Sequence, residues 1–151
     1  KPITMLVGFT PGGFTDFVAR LIGKQLSEAL GQPVIVENRG GANGLIAANL
    51  AAASRPDGYT IYMTSMGLVT NPHLYAGPQR DPVKDFTHVT LAAQNFGQAL
   101  IVNPDVPAKT VQELLEYAKK NPGELKWAHV GRGITLHMSA MIIFKKEGAQ
   151  T

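Results

Sequence analysis

An apolar run, Ile3 to Val7, passes through Gly8-Phe9-Thr10-Pro11-Gly12-Gly13 into a stretch with helical spacing. Strand, glycine turn and helix in that order admit few folds. The turn lets backbone N–H groups point into open space at a helix N-terminus, where an anion is held by unpaired donors and by the helix dipole. The same junction recurs twice. Gly40-Gly41-Ala42-Asn43-Gly44 leads into an alanine-rich helix, and Gly131-Arg132-Gly133 precedes another. Alternation of this kind predicts an α/β chain with a mostly parallel sheet. Ligands of such sheets sit beyond the carboxyl ends of the strands, where all three loops fall.

The elements follow from periodicity and punctuation. Phe17, Val18, Leu21, Ile22, Leu26 and Leu30 recur at helical spacing, predicting a helix over Asp16 to Leu30 that Gly31 stops. Pro33 to Glu37 reads as a short buried strand, Leu45 to Ala53 as a helix, and Pro56-Asp57-Gly58 as a turn launching a strand over Tyr59 to Met63. Thr64 to Tyr75 has room for a short helix, and Gly77 to Asp85, with two prolines, reads as a loop. In the second half, strands are expected at His88 to Ala93, Ala99 to Val102 and Leu125 to His129. Thr110-Val111-Gln112-Glu113 has capping-box spacing and opens a helix that Asn121-Pro122-Gly123 ends. A last helix runs from Thr135 to Lys146. Glu147 to Thr151 then reads as the start of another connection, so the chain is expected to be truncated; Lys1 in place of Met suggests a trimmed or processed start.

Composition removes several function classes. Fourteen basic and 11 acidic residues are dispersed with no Lys/Arg block, so nucleic acid is not an expected partner. The absence of cysteine removes disulfides, thiolate catalysis and cysteine zinc sites. His73, His88, His129 and His137 show no metal-ligand spacing, so no metal and no cofactor are expected. None of Ser27, Ser54, Ser65 and Ser139 lies in a nucleophile elbow, and no carboxylate pair stands at the glycine loops, so no catalytic residue is assigned. The first loop lacks the Lys-Ser/Thr of a phosphate-binding loop and the G-x-G-x-x-G spacing. Small-anion binding through its N–H groups remains, beside the plainer reading of a turn. Asp16 reads as an N-cap. His137, one turn into the last helix, reads as a partner of the loop backbone or of a carboxylate.

Several motifs in order along the whole chain resemble the periplasmic solute-binding proteins of tripartite tricarboxylate transporters, the TctC or Bug family. They are the first loop with Thr15-Asp16 and Ala19-Arg20; Val36-Glu37-Asn38-Arg39 with its glycine loop; Pro56-Asp57-Gly58-Tyr59-Thr60; Asn71-Pro72-His73-Leu74-Tyr75; Asp85-Phe86; Val102-Asn103-Pro104; and Gly131 to His137. The resemblance implies a two-lobed, periplasmic-binding-protein-like (Venus flytrap) α/β protein longer than this chain. Residues 1–95 would form the first lobe, lacking its C-terminal return segment, and residues 98–151 the beginning of an incomplete second lobe. It implies a monomeric, non-enzymatic, periplasmic receptor, exported on a signal peptide, that captures a small organic carboxylate in the cleft and delivers it to membrane transporter subunits.

Carried over residue by residue, the resemblance places one ligand carboxylate over Phe9, Thr10, Pro11, Gly12, Gly13, Phe14, Thr15 and Asp16. Thr64, Ser65 and Asn71 resemble first-lobe cleft residues. Gly133, Ile134 and Thr135, with His137 behind them, would hold the far end of the ligand. Three positions depart from the family pattern. Gly8 stands where proline is usual, loosening the approach to the loop. Phe14 stands where a small residue is usual; its ring either stacks on an aromatic or apolar ligand or packs between loop and helix. Ile134 replaces a usual hydroxyl and removes a polar contact. The competing classes are a small α/β enzyme that binds a phosphate-containing substrate at the first glycine loop, and a scaffold or sensor that uses the same cleft.

Overall fold

The structure is a computed structural model that describes residues 1–149 apart from 78, 95, 96 and 130. Of the expected features, Pro78 of the 77–85 loop, the lobe boundary at Asn95, and Gln150 and Thr151 of the terminal connection lie outside the described residues. The chain divides into two compact units, Lys1–Gln94 and Asn95–Thr151.

The first unit carries strand β1 (Ile3–Val7), helix α1 (Phe14–Leu30), β2 (Val34–Asn38), a 3₁₀ turn (Ala42–Gly44), α2 (Leu45–Ala53), β3 (Thr60–Met63) and α3 (Gly67–Leu74). The sheet order is β2-β1-β3, all parallel, with Ile3 opposite Val34, Val7 opposite Asn38 and Val7 opposite Met63. The central strand is the most buried, as its apolar run, broken only by the half-buried Thr4, requires. Met5 and Val7 are enclosed with Ala19 of α1, and Phe9, Ile22, Leu26, Val34, Val36 and Met63 pack around them. Gly23 is on the face of α1 that meets the sheet, where a Cβ would make ordinary 3.5 Å contacts with the Val34 and Val36 methyls. Gly31 takes the left-handed φ of +61° that ends the helix, as expected from the sequence.

The second unit carries α4 (Val111–Lys120) and α5 (Thr135–Lys146). The capping box is present: the Glu113 N–H donates to Thr110 Oγ1 and the Thr110 N–H to Glu113 Oε2, each at 3.2 Å. Leu114, Leu115 and Ala118 of α4 meet Ala140 and Phe144 of α5 in a small core that Trp127 closes edge-on to Phe144.

Three expected strands are absent. His88 to Ala93, Ala99 to Val102 and Leu125 to His129 have no ladder partner among the described residues. An apolar pattern marks a segment suited to a sheet, but a strand exists only beside another strand that accepts and donates its backbone bonds. Val89, Leu91 and Ile101 accordingly remain 86, 71 and 85% exposed. No helix among the described residues is long and apolar enough to cross a membrane.

Candidate functional site

At the carboxyl end of the first-unit sheet, the loops after β1, β2 and β3 open on one edge. They bring the first glycine loop, the 39–44 loop, and Thr64 with Ser65 to that edge. Gly12 turns the first loop with a φ of +86°, and Gly13, extended at ψ 170°, is the N-cap of α1. Asp16 is therefore the third residue of the helix and not its cap. The expected boundary fell two residues late because glycine supplies the extended residue without a side-chain cap.

Asp16 has a different task. It is 3% exposed. Its Oδ2 accepts from the Gly12 N–H at 2.9 Å and from Arg20 Nε at 3.0 Å, while Oδ1 accepts from Asn38 Nδ2 at 2.9 Å and pairs with Arg20 Nη2 at 3.0 Å. Asn38 Nδ2 also donates to the Phe9 carbonyl at 3.0 Å. The Arg20 hydrogen bond, then the Gly12 and Asn38 bonds, hold the Asp16 carboxyl down from 3.8 to about 2. One carboxylate thus ties the loop to α1 and to the end of β2, and Arg20 cancels its charge. The Gly12 N–H is spent in doing so. Among the described residues the N–H groups of Phe14, Thr15 and Asp16 find no acceptor, as expected in the first turn of a helix, and the Phe17 N–H is the first to bond, to Gly13 O at 2.9 Å. Three donors at the positive end of a 17-residue helix are suited to a carboxylate.

Around them, Thr10, Pro11, Gly12 and Gly13 are exposed and Phe9 and Thr15 half-buried. Phe14 is 51% exposed and joins neither apolar cluster, so packing between loop and helix does not describe its ring. Thr64 is half-buried and Ser65 exposed, just past β3. Asn71 is buried. Its Nδ2 donates to the Ala42 and Asn43 carbonyls at 3.3 and 3.1 Å, and its Oδ1 accepts from Asn43 Nδ2 at 2.9 Å, so it shapes the 39–44 loop.

Gly8 does not loosen the loop. A Cβ at this position would lie 2.9 Å from Gly44 Cα and 3.0 Å from the Tyr62 hydroxyl, which donates to the Gly44 carbonyl at 2.9 Å. Glycine is what lets the first two loops approach one another.

In the second unit, Ile134 is the N-cap of α5 and is buried, so its side chain faces inward; Thr135 is exposed and begins the helix. The Gly133 N–H donates to His137 Nδ1 at 3.3 Å, and the Gly131 N–H to His129 Nδ1 at 3.1 Å. The two rings meet edge to face, centroids 4.6 Å apart. Sequence reasoning anticipated the bond from His137 to the loop but not its partner His129. Nor did it assign roles to Arg20, Asn38 or Asn43; only the i,i+4 spacing of Asp16 and Arg20 signals such a pair in advance.

The family model for the tripartite tricarboxylate transporter family receptor, TctC, matches residues 18–151. This chain belongs to the TctC family. A relative from Cupriavidus necator, the UPF0065 protein in the gbd 5' region, is 40% identical over 99% of the TctC chain and 45% of its own length. The chain thus spans under half the length of that relative. A solved periplasmic transporter superposes with a TM-score of 0.83 at 38% identity, covering 99% of the TctC chain and 50% of its own. An R. palustris protein solved with adipate gives 0.81 at 31%, and MatC from Rhodopseudomonas palustris with bound malate gives 0.77 at 30%, covering 50 and 51% of those chains. The periplasmic binding protein BugD gives 0.78 at 31%, covering 50% of that chain; the family is one of receptors and binding proteins rather than enzymes.

Proposed function

We propose that the full-length protein is a periplasmic receptor that captures a small organic carboxylate and passes it to membrane subunits of a tripartite tricarboxylate-type transporter. The observation that carries this reading is the row of three N–H groups at Phe14, Thr15 and Asp16, in the helix turn that the Asp16–Arg20–Asn38 tie fixes. The adipate and malate in the neighbouring structures support it from the ligand side. Phe9, Thr10, Pro11, Gly13, Thr64 and Ser65 form the surround in this reading. Gly133, Thr135 and His137 serve a second carboxylate, while Asn71 and Ile134 act through the loops they brace.

The rim of the first-unit site favours an apolar ligand body. Arg20 is paired with Asp16 and Arg39 with Glu37, which leaves neither cation to neutralise extra carboxylates there. Phe14 instead offers an exposed ring, and an aromatic pair is worth about 0.5–1.5 kcal/mol beyond area burial. The test is a thermal-shift series of aliphatic and aromatic mono-, di- and tricarboxylates, with phosphate esters as controls. A ligand at a hundredfold excess over Kd stabilises by about 2.7 kcal/mol. The series is expected to show carboxylate-specific shifts, with aromatic acids losing about three- to tenfold in affinity on Phe14→Ser. Shifts with phosphate esters alone would overturn the reading.

A further inference from the structure

The second glycine loop carries a reactive pair that anion binding does not use. Of the seven asparagines in the chain, only Asn43 is followed by glycine. Asn71, Asn103 and Asn121 precede proline, which has no N–H. Asn38, Asn49 and Asn95 precede Arg, Leu and Phe, whose side chains crowd the following amide. An Asn-Gly pair reacts with itself. The Gly44 nitrogen gives up its proton and attacks Cγ of Asn43. The new C–N bond forms as the Cγ–Nδ2 bond breaks, and Nδ2 leaves as ammonia. Water then opens the five-membered imide at either carbonyl, leaving aspartate or the backbone-lengthened isoaspartate. Nothing is oxidised or reduced.

The folded loop blocks each part of that reaction. Asn43 is 9% exposed and takes φ +52° and ψ +40°. Ring closure needs Cβ eclipsed with the Gly44 nitrogen about the Cα–C bond, and at this ψ the two are far from eclipsed. The Gly44 N–H is given to the Gly41 carbonyl at 3.0 Å. The leaving Nδ2 is given to Asn71 Oδ1 at 2.9 Å, and Asn71 Nδ2 holds the Asn43 carbonyl at 3.1 Å. Asn43 Oδ1 has no donor among the described residues, so nothing polarises Cγ toward attack. Gly67 lets α3 close over the loop, since a Cβ there would overlap the Asn43 carbonyl and side-chain amide.

We propose that Asn43–Gly44 is a one-way modification site guarded by Asn71: when the 39–44 loop leaves α3, Asn43 converts through the imide to aspartate or isoaspartate, and the loop cannot return to its place. The product does not fit. A carboxylate at position 43 has lost the amide donor and meets Asn71 Oδ1 acceptor to acceptor. An isoaspartyl link shifts Gly44, which lies against Gly8 and accepts the Tyr62 hydroxyl at 2.9 Å. Conversion therefore separates the first two glycine loops. That this also ends carboxylate capture at α1 rests on the reading above; the modification itself does not.

The experiment is peptide mapping by mass spectrometry of the full chain held at mildly alkaline pH, folded and in urea, with Asn71→Leu beside wild type. In urea Asn43 is expected to convert well ahead of Asn38 and Asn49. In the folded wild type it is expected to convert about a hundredfold more slowly, because only the open fraction of the loop reacts. Folded Asn71→Leu is expected to convert about ten- to a hundredfold faster than folded wild type, as that fraction grows. The wild-type rate should also rise with urea on a shallower slope than global unfolding, since a local opening exposes less surface. That series decides the guard if Asn71→Leu does not fold. Asn43→Asp, which carries the aspartate product from the start, is expected to lose hydrogen-exchange protection in α2 and α3. The proposal is overturned if Asn43 converts no faster than Asn38 and Asn49 in urea, if folded wild type and folded Asn71→Leu convert alike, if the urea slope equals that of global unfolding, or if Asn43→Asp keeps wild-type protection. Absence of adipate binding by the unconverted protein would remove the carboxylate reading instead, and the mapping would decide the modification by itself.

Discussion

Asp16→Ala is expected to destabilise the first unit by about 2–4 kcal/mol and to abolish carboxylate binding at its loop. The size follows from what is lost. A buried carboxylate accepts charge-assisted bonds from Gly12, Asn38 and Arg20, and its removal leaves the Gly12 N–H and the Asn38 amide without that acceptor. Arg20 is half-exposed and regains water, which keeps the cost below that of a fully buried pair. The effect is read by urea unfolding with the m-value held constant. Acid should reproduce it. The Asp16 pKa is depressed, so its contribution is fully present above about pH 4 and is lost as pH falls toward 2. The alanine variant should lack that part of the acid slope. A variant as stable as wild type would mean that the loop keeps its shape without the tie.

Asn71→Leu is expected to cost about 3 kcal/mol, an amount close to Asp16→Ala for a different reason. Ala42 and Asn43 both adopt left-handed backbone at φ of +46° and +52°, a conformation that costs roughly 1–2 kcal/mol at each non-glycine residue. Asn71 stabilises that turn with two bonds to its carbonyls and one from the Asn43 amide. The turn also fits tightly against α3, since a Cβ on Gly67 would overlap the Asn43 carbonyl oxygen. Leucine fills the volume but leaves the buried Asn43 carbonyl without its Asn71 donor and the Asn43 amide without its acceptor, while the Ala42 carbonyl keeps the Leu45 N–H. Hydrogen exchange should show lost protection in α2 and α3 before the rest of the unit. Protection that falls only in step with global stability would contradict the local role.

Local signals in the sequence were enough for much of this fold. The strand, glycine turn and helix at the start, the stop at Gly31, the capping box at Thr110 and the last helix from Thr135 all depend on neighbours within a few residues. What was illegible depends on distant partners. The spacing of His88 to Ala93 is that of a strand, but pairing is decided elsewhere in the chain. Asp16 looked like a cap because a carboxylate at a helix start usually is one; its real partners include Asn38, brought beside it by the parallel pairing of β1 and β2. The family resemblance places Asn71 among the cleft residues, whereas its side chain is buried and bonded to the 39–44 loop, a role that only the folded chain shows. Of the two histidines at the third loop, only His137 could be tied to its backbone from position alone.

The most direct test of the account is an amide nitrogen–proton spectrum of the protein titrated with adipate. The Phe14, Thr15 and Asp16 amides are expected to shift strongly and saturably, because a carboxylate becomes their acceptor. The Gly12 amide should move little, since its proton is already given to Asp16. Saturable adipate binding that leaves Phe14, Thr15 and Asp16 unmoved, or no binding by any carboxylate in the series, would contradict the claim that the first-turn donors of α1 hold the ligand.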